Sequence, residues 1–285
     1  MDEAKLAIAR CAYAKQIMAS YNLRDRRLEK AFAELRREDF LGPGPWQLST
    51  SPGGYRLTPD DDPVHLYQDE CVGIMPGKGL NNGQPSFLAF LIYLGHLREG
   101  EHAVHIGAGV GYYTAIITRL VGRAGSVTAV EYEPELAARA AGNLTMFPNV
   151  RVIEGNGFTL PLEPADVIYV NAGAAKPADA WLDAMKDGGR IILPLTVSCT
   201  DDEGHPMTHG AIFRIERRGD EYAARWMSGT GIYDCAGARD EESDAALAAA
   251  FKKGGWDYVT RLYRTSEIPD ERCWVRGPGW TLAYE

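Results

Sequence analysis

The sequence predicts an α/β fold: a doubly wound, mostly parallel Rossmann-like sheet with an N-terminal helical cap and C-terminal antiparallel strands in an extension. Three observations carry this reading. Over residues 101–196, short apolar runs (AVHIG, SVTAVEY, RVIEG, DVIYVNAG, RIILPL) alternate with helical stretches. That is the pattern of βαβ units and of a parallel sheet covered on both faces. Residues 3–40 instead repeat apolar side chains at helical spacing, as in Leu28, Ala31, Phe32 and Leu35. Beyond 205 the chain returns to strand-like runs, AIFRIERRGDEYAARWMSG and WVRGPGWTLAYE, around one helical stretch, DEESDAALAAAFKK.

In chain order this gives N-terminal helices and a covering loop over 1–100, a sheet domain over 101–230 and an extension over 231–285. Residues 41–86 read as irregular, rich in turn formers such as GPGPW, SPGGY, TPDDDP and MPGKGLNNGQP. Loops of that length are commonly lids or binding segments. Pro85 is expected near the start of a buried helix over 86–97, and DAWLDAMKDGG is expected to be helical.

Composition narrows the function classes. With 45% hydrophobic and 24% charged residues among 285, a disordered or fibrous chain is excluded. A net charge of −9 argues against non-specific nucleic-acid binding, which needs a basic face. The cluster Arg24, Arg26, Arg27, Lys30, Arg36 and Arg37 is interleaved with acids and reads as solvated. Cys11, Cys71, Cys199, Cys235 and Cys273 form no CxxC pair, so a reducing compartment fits better than a disulfide framework. The N-terminal stretch lacks the apolar core of a secretory signal, and the longest apolar run, FLAFLIYL, is too short for a bilayer. The expectation is a soluble, cytoplasmic protein with no membrane partner.

The chemistry concentrates at the first strand–helix turn of the sheet domain. Gly107, Gly109 and Gly111 form GxGxG, a turn that lets a ligand approach the main chain beside free N–H groups of a helix start. Tyr112 stands where a dinucleotide fingerprint needs its third glycine, so the turn suits a nucleoside ligand without a pyrophosphate and disfavours a nicotinamide dehydrogenase. Glu131 follows Gly111 by twenty residues, at the end of the second strand, where a carboxylate can accept both ribose hydroxyls. Asn156, in Glu154-Gly155-Asn156-Gly157, has a donor and an acceptor that match an adenine edge, although Asn-Gly is also a common turn.

These pieces resemble the class I S-adenosylmethionine-dependent methyltransferases, and more closely the protein-L-isoaspartate O-methyltransferase family. The resemblance runs from about Asp25 to Thr196 and rests on five segments in the family's order. They are RRLEKAFAELRREDFLGP, GKGLNNGQPSFLAFLIYLGHL, HIGAGVGYYTAIITRLVG, VTAVEYEPELAARAAGNL and DVIYVNAGAAKPADAWLDAMKDGGRIILPL. It implies that the 101–230 domain binds S-adenosylmethionine. Gly107, Gly109 and Gly111 would wrap its methionine part, Glu131 would hold the ribose, and Asn156 with Gly157 would meet the adenine, with His105 and Tyr132 completing the cofactor set. Asn81, Asn82 and Gly83 fall where the family has a catalytic Thr-Ile-Ser segment over the cofactor and the substrate carboxylate.

Three residues depart from the pattern. Gly83 replaces the active-site serine, Asn156 the usual Asp, and His105 an acidic residue before the first glycine. The implied activity is repair-type methylation of a carboxylate, isoaspartyl or modified Asp, in a protein or peptide partner. The alternative is a cofactor-binding relative with another substrate or no catalysis. Asn81 and Asn82 are expected to supply replacement amide donors, and returning serine at 83 is expected to raise activity on an isoaspartyl peptide.

Other candidates have plainer readings. His205 and His209, near Asp201 and Asp202, read as a solvated loop and not as a metal site, so no metal is expected. His105 reads as a semi-buried, hydrogen-bonded histidine. Trp46 is a candidate pocket residue, and Tyr233, Trp256 and Tyr258 are candidates for a cleft wall or for simple packing.

Overall fold

The structure, a computed structural model, describes residues 1–50, 54–200 and 206–285. The N-terminal part carries α1 (Glu3–Ser20), α2 (Arg26–Glu34), α3 (Glu38–Leu41), β1 (Gln47–Ser49), β2 (Tyr55–Leu57), β3 (Gly73–Met75), β4 (Leu80–Asn81) and α4 (Pro85–Leu94). The alternating part follows as β5 (His102–Ile106), α5 (Tyr112–Val121), β6 (Ser126–Glu131), α6 (Pro134–Asn143), β7 (Val150–Glu154), β8 (Ala165–Val170), α7 (Asp179–Ala184) and β9 (Met185–Thr200). The chain closes with β10 (Pro206–Arg218), β11 (Glu221–Thr230), α8 (Glu241–Lys253), β12 (Arg261–Tyr263), β13 (Cys273–Gly277) and β14 (Trp280–Ala283). Two compact units result, 1–101 with 108–154 and 102–107 with 155–285.

In the first unit, local chemistry sets the helix starts. Asp2 caps α1 by accepting from the Lys5 N–H, and Asp25 caps α2 by accepting from the Arg27 and Leu28 N–H groups. The helices bury Tyr13 and Ile17 on α1 and Leu28 and Phe32 on α2, the last two among the apolar positions read from the periodicity. The stretch read as irregular is more ordered than its composition suggests. It holds two antiparallel pairs, β1 with β2 and β3 with β4, linked by a Leu48–Val72 bridge. Strands of two or three residues are too short for alternation to register in sequence. Pro85 does open α4, and the Asp69 carboxylate fixes that end by accepting from the Ser86 N–H (2.7 Å), the Ser86 hydroxyl (2.6 Å) and Gln84 Nε2 (3.1 Å). Strands β6 and β7 pair in parallel beneath α6. From α6, Arg139 donates to the Ile74 carbonyl and Asn143 to the carbonyls of Phe40 and Val110.

In the second unit the strand order is β13-β14-β12-β11-β10-β9-β8-β5. β5, β8 and β9 run parallel, and from β10 onward every neighbour is antiparallel, as the change of pattern after 196 predicted. One boundary differs. The helix read over DAWLDAMKDGG stops at Ala184, because Met185 already pairs with Ala165 before the register shifts to Val167–Arg190. Among the described residues no helix is long and apolar enough to cross a membrane. All five cysteines are free thiols.

Candidate functional site

The 107–111 turn passes from one unit to the other, and its two sides are taken separately. In the first unit, Gly109 and Glu131 are brought together: the Gly109 N–H donates to Glu131 Oε2 at 2.6 Å, and the Glu133 N–H donates to Oε1 at 3.0 Å. The Ala108 N–H donates to the Val130 carbonyl, so the turn is tied to the end of β6. Glu131 is only 7% exposed, and burial pushes its carboxyl above the usual range although these N–H groups pull it down. Each carboxylate oxygen keeps a further lone-pair direction, so the pair of acceptors suits a vicinal diol. Gly111 has φ +90°, and a Cβ there would stand 2.8 Å from Leu144 Cδ1. Only glycine allows α5 to start this close to the chain following α6. Tyr132 is 56% exposed, and Lys78 of the covering segment pairs with Glu133 at 2.6 Å.

The segment expected to be catalytic lies in the same unit, and its parts differ. Asn81 Oδ1 accepts from the Gly83 N–H at 2.8 Å, and Asn81 Nδ2 lies 3.4 Å from the Tyr55 hydroxyl. Tyr113 donates its hydroxyl to the Gly83 carbonyl at 3.4 Å. Gly83 has φ +76°, and a Cβ on it would fall 2.5 Å from Leu88 Cδ1. The space left by the missing serine is therefore already filled by Leu88. Asn82 corrects an expectation. It is buried, and its Oδ1 accepts from the Val72 N–H (3.1 Å) and from Arg37 Nη2 (3.5 Å), so the amide oxygen braces the loop, while the donor Nδ2 is enclosed and meets no acceptor among the described residues.

Arg37 is the second correction. Read as part of a solvated cluster, it is fully enclosed, donating to the carbonyls of Leu66, Gln68 and Glu70 with its ring-stacking faces toward Tyr13 and Tyr112. Its neighbours Arg36 and Lys30 do face solvent in ion pairs.

In the second unit, the Asn171 N–H donates to the Ile106 carbonyl (2.8 Å) and Asn171 Nδ2 lies 3.4 Å from the Gly107 carbonyl, fixing the end of β5. His105 is not semi-buried but fully enclosed, its ring 5.0 Å from that of Tyr169. Burial pushes its pKa down to about 3, so the imidazole is neutral near pH 7 and has no surface to offer a ligand. Asn156 Oδ1 accepts from the Phe158 N–H at 2.9 Å, the turn bond that Asn-Gly suggested, which leaves its Nδ2 near Gly237. The Gly157 carbonyl accepts from the Trp181 indole at 2.7 Å.

Of residues 231–240, only Tyr233 is a site candidate in the sequence. They run along the loop after β8: the Cys235 N–H donates to the Gly173 carbonyl, the Gly173 N–H to the Tyr233 carbonyl, and the Ala175 N–H to the Ala238 carbonyl. Arg239 locks this strap, donating to Thr196 and pairing with Asp234 and Asp244. Main-chain pairing between segments some sixty residues apart leaves no local signal in sequence. Of the remaining candidates, Trp46 is buried and donates to the Gly42 carbonyl, a packing role. Trp256 packs on Phe251, while Tyr258 is exposed. His209 lies against Cys199 and Phe251; Asp201, Asp202 and His205 lie outside the described residues.

The model of the protein-L-isoaspartate(D-aspartate) O-methyltransferase family matches residues 15–203. Protein-L-isoaspartate O-methyltransferase 1 of Archaeoglobus fulgidus is 39% identical over 145 residues, covering 47% of this chain and 67% of that protein. The second such enzyme of the same organism is 31% identical over 175 residues, covering 60% of this chain and 79% of its own length. The Thermotoga maritima enzyme is 30% identical over 187 residues, and there the match spans about half of the relative, 54%. Among solved structures, a protein-L-isoaspartate O-methyltransferase superimposes with a TM-score of 0.64 at 20% identity, covering 96% of this chain and 87% of the other. One from Plasmodium falciparum, in complex with S-adenosyl-L-homocysteine, gives 0.60 at 15% identity, covering 79% and 97%. These two likenesses establish the shared α/β methyltransferase fold. With the family model spanning well over half its length, this chain belongs to the protein-L-isoaspartate(D-aspartate) O-methyltransferase family.

Proposed function

We propose that this chain transfers the methyl group of S-adenosylmethionine to a side-chain carboxylate of a protein or peptide, isoaspartyl residues being the acceptor class of its family. The observation that carries the reading is the buried Glu131 carboxylate clasped to Gly109 at the glycine turn, a two-acceptor cradle for a ribose. Within the first unit Gly109, Gly111 and Glu131 are assigned to the cofactor, with Tyr132 a candidate beside them; for Gly107, Asn156 and Gly157 the assignment rests on the family resemblance alone. His105 is assigned only to the integrity of β5. Bound S-adenosylmethionine supplies a methyl group activated by its sulfonium centre.

The acceptor needs little acid–base help, because a carboxylate is already ionised near neutral pH. A neutral, enclosed His105 is consistent with that. The work left to the chain is alignment of the attacking oxygen and exclusion of water. Asn81 and the main chain around Gly83 are assigned to the acceptor side, with the serine hydroxyl of other members replaced by main-chain groups and an apolar Leu88 wall. Methyl transfer to an isoaspartyl peptide, followed with labelled cofactor, is the direct test. Cofactor binding without transfer to that peptide or to any protein carboxylate would leave only the cofactor half of the assignment standing.

Glu131 gives two further expectations. Glu131→Ala should weaken S-adenosylhomocysteine binding by about 1–3 kcal/mol, the cost of removing a charged hydrogen-bond acceptor. Calorimetry finding the affinity unchanged refutes the ribose assignment. Ribose hydroxyls donate to the ionised carboxyl, whose folded-state pKa lies above its ordinary value. Affinity should therefore be full above that pKa and fall as pH drops through it, while Glu131→Gln should show no such fall. In the ligand-free protein the sign reverses. The Glu131 contribution to stability is present below the ordinary glutamate pKa and is lost as pH rises through the raised one.

A further inference from the structure

We infer that Arg37 is a positioning residue for the transfer reaction, setting the acceptor-side segment 81–83 through Asn82. The inference rests on the assignment of Asn81 and Gly83 to the acceptor. Arg37 is fully enclosed and yet spends its guanidinium on main-chain carbonyls of one loop, Leu66, Gln68 and Glu70, and on the Asn82 amide oxygen. Burying a guanidinium is costly unless its donors are met; both Nη atoms of Arg37 reach acceptors from residues 66–82, Nε alone meeting none among the described residues, and this fork ties that loop to Arg37. Asn82 completes the connection. Its Oδ1 receives both Arg37 and the Val72 N–H, and the Asn82 N–H donates to the Val72 carbonyl, so Arg37 meets the main chain entering Gly83 at a point where Val72 already holds it.

The far side of the segment is independently tied. Asn81 holds the Gly83 N–H, Tyr113 holds its carbonyl, and Asp69, next to the carbonyls that Arg37 gathers, holds the start of α4 at Ser86. The loop is thus held from both sides: Arg37 reaches its main-chain carbonyls, while Arg10 of α1 and Glu38 of α3 meet it only at the Tyr67 hydroxyl. Lysine at this position has a single nitrogen and cannot span acceptors spread over the loop. No hydrogen bond joins Arg37 or Asn82 to Gly109 or Gly111, and Arg37 approaches the turn only through the Tyr112 ring 5.8 Å away, so cofactor binding should survive a change at Arg37.

The experiment compares wild type, Arg37→Lys, Arg37→Met, Asn82→Ala and the Arg37→Lys/Asn82→Ala double variant in the full chain. Expected is a rise of about tenfold or more in the isoaspartyl-peptide KM for Arg37→Lys, with the S-adenosylhomocysteine dissociation constant within about twofold of wild type. The double variant should be no worse than the worse single, because the two side chains act as one connection. Additive losses, or a lowered melting temperature with unchanged peptide KM at a permissive temperature, overturn the inference. Should Arg37→Lys not fold, Asn82→Ala carries the same KM comparison. Amide hydrogen exchange at 80–84 in the S-adenosylhomocysteine-bound protein is the readout that needs no activity. Faster exchange in Arg37→Lys with an inactive wild type keeps the positioning and discards the acceptor assignment. Unchanged exchange discards the positioning itself.

Discussion

Gly83→Ser is expected to destabilise the protein by about 2–5 kcal/mol and to leave methyl transfer to an isoaspartyl peptide no higher than in wild type. Two costs add. A non-glycine residue held in the left-handed region costs about 1–2 kcal/mol, and Gly83 sits there with φ +76°. Forcing extra atoms into a filled space costs about 1–3 kcal/mol, and the new Cβ would meet Leu88 Cδ1 at 2.5 Å. This cost stands against the expectation that restoring the family's serine raises activity: glycine at 83 takes a left-handed turn beside the Leu88 side chain. Denaturant unfolding of wild type, Gly83→Ala and Gly83→Ser separates the Cβ cost from any effect of the hydroxyl. Adding Leu88→Ala to Gly83→Ser should return the steric part and leave the backbone part. A serine variant as stable as wild type and more active on the peptide shows that residues 81–83 re-form without the left-handed turn, and it sinks this account.

Trp181→Ala is expected to cost about 3–5 kcal/mol, the usual range for emptying a buried tryptophan site. The indole is fully enclosed on α7, packs edge-on against Phe158 with ring centroids 5.6 Å apart, and donates to the Gly157 carbonyl at 2.7 Å. The hydrogen bond makes the effect more than a cavity. Gly157 follows Asn156, the residue assigned to the adenine, so the loop loses its brace as well as its packing. Trp181→Phe keeps most of the volume and orphans the carbonyl, which should cost about 1–3 kcal/mol. At a temperature where both variants remain folded, S-adenosylhomocysteine should bind more weakly to each than to wild type. Thermal unfolding and calorimetry read the two effects. A Phe variant with wild-type stability and affinity would show that the indole N–H does not hold the loop.

The legible parts of this protein were those written in short-range pattern. GxGxG and the acid twenty residues on put a glycine turn before α5 and Glu131 at the end of β6, though not the bond between them, and the alternation over 101–196 gave β5 to β9 with only the end of α7 misplaced. Asn156-Gly157 was readable both as a turn and as a ligand contact, and its Oδ1 bond to Phe158 satisfies the first without excluding the second. The small strands of the covering segment were hidden because two or three residues cannot display a period. Nothing around DAWLDA in the sequence points Trp181 to the Gly157 carbonyl.

The sequence by itself determined the order of strands and helices over 101–196, the glycine turn with its acid, the antiparallel ending and the family, because periodicity, glycine and motif spacing act over a few residues of chain. Tertiary structure alone decided which polar groups are enclosed and what they hold. Arg37 resembles its solvated neighbours in sequence, and only the carbonyls of 66–70 folding round it turn a surface charge into an anchor. Asn82 reads as a free amide until Val72 and Arg37 claim its oxygen, and the 231–240 strap is invisible until Gly173 and Ala175 pair with it. The physical reason is that the desolvation of a charge and the satisfaction of a main-chain group depend on atoms far away along the chain, which no local pattern records.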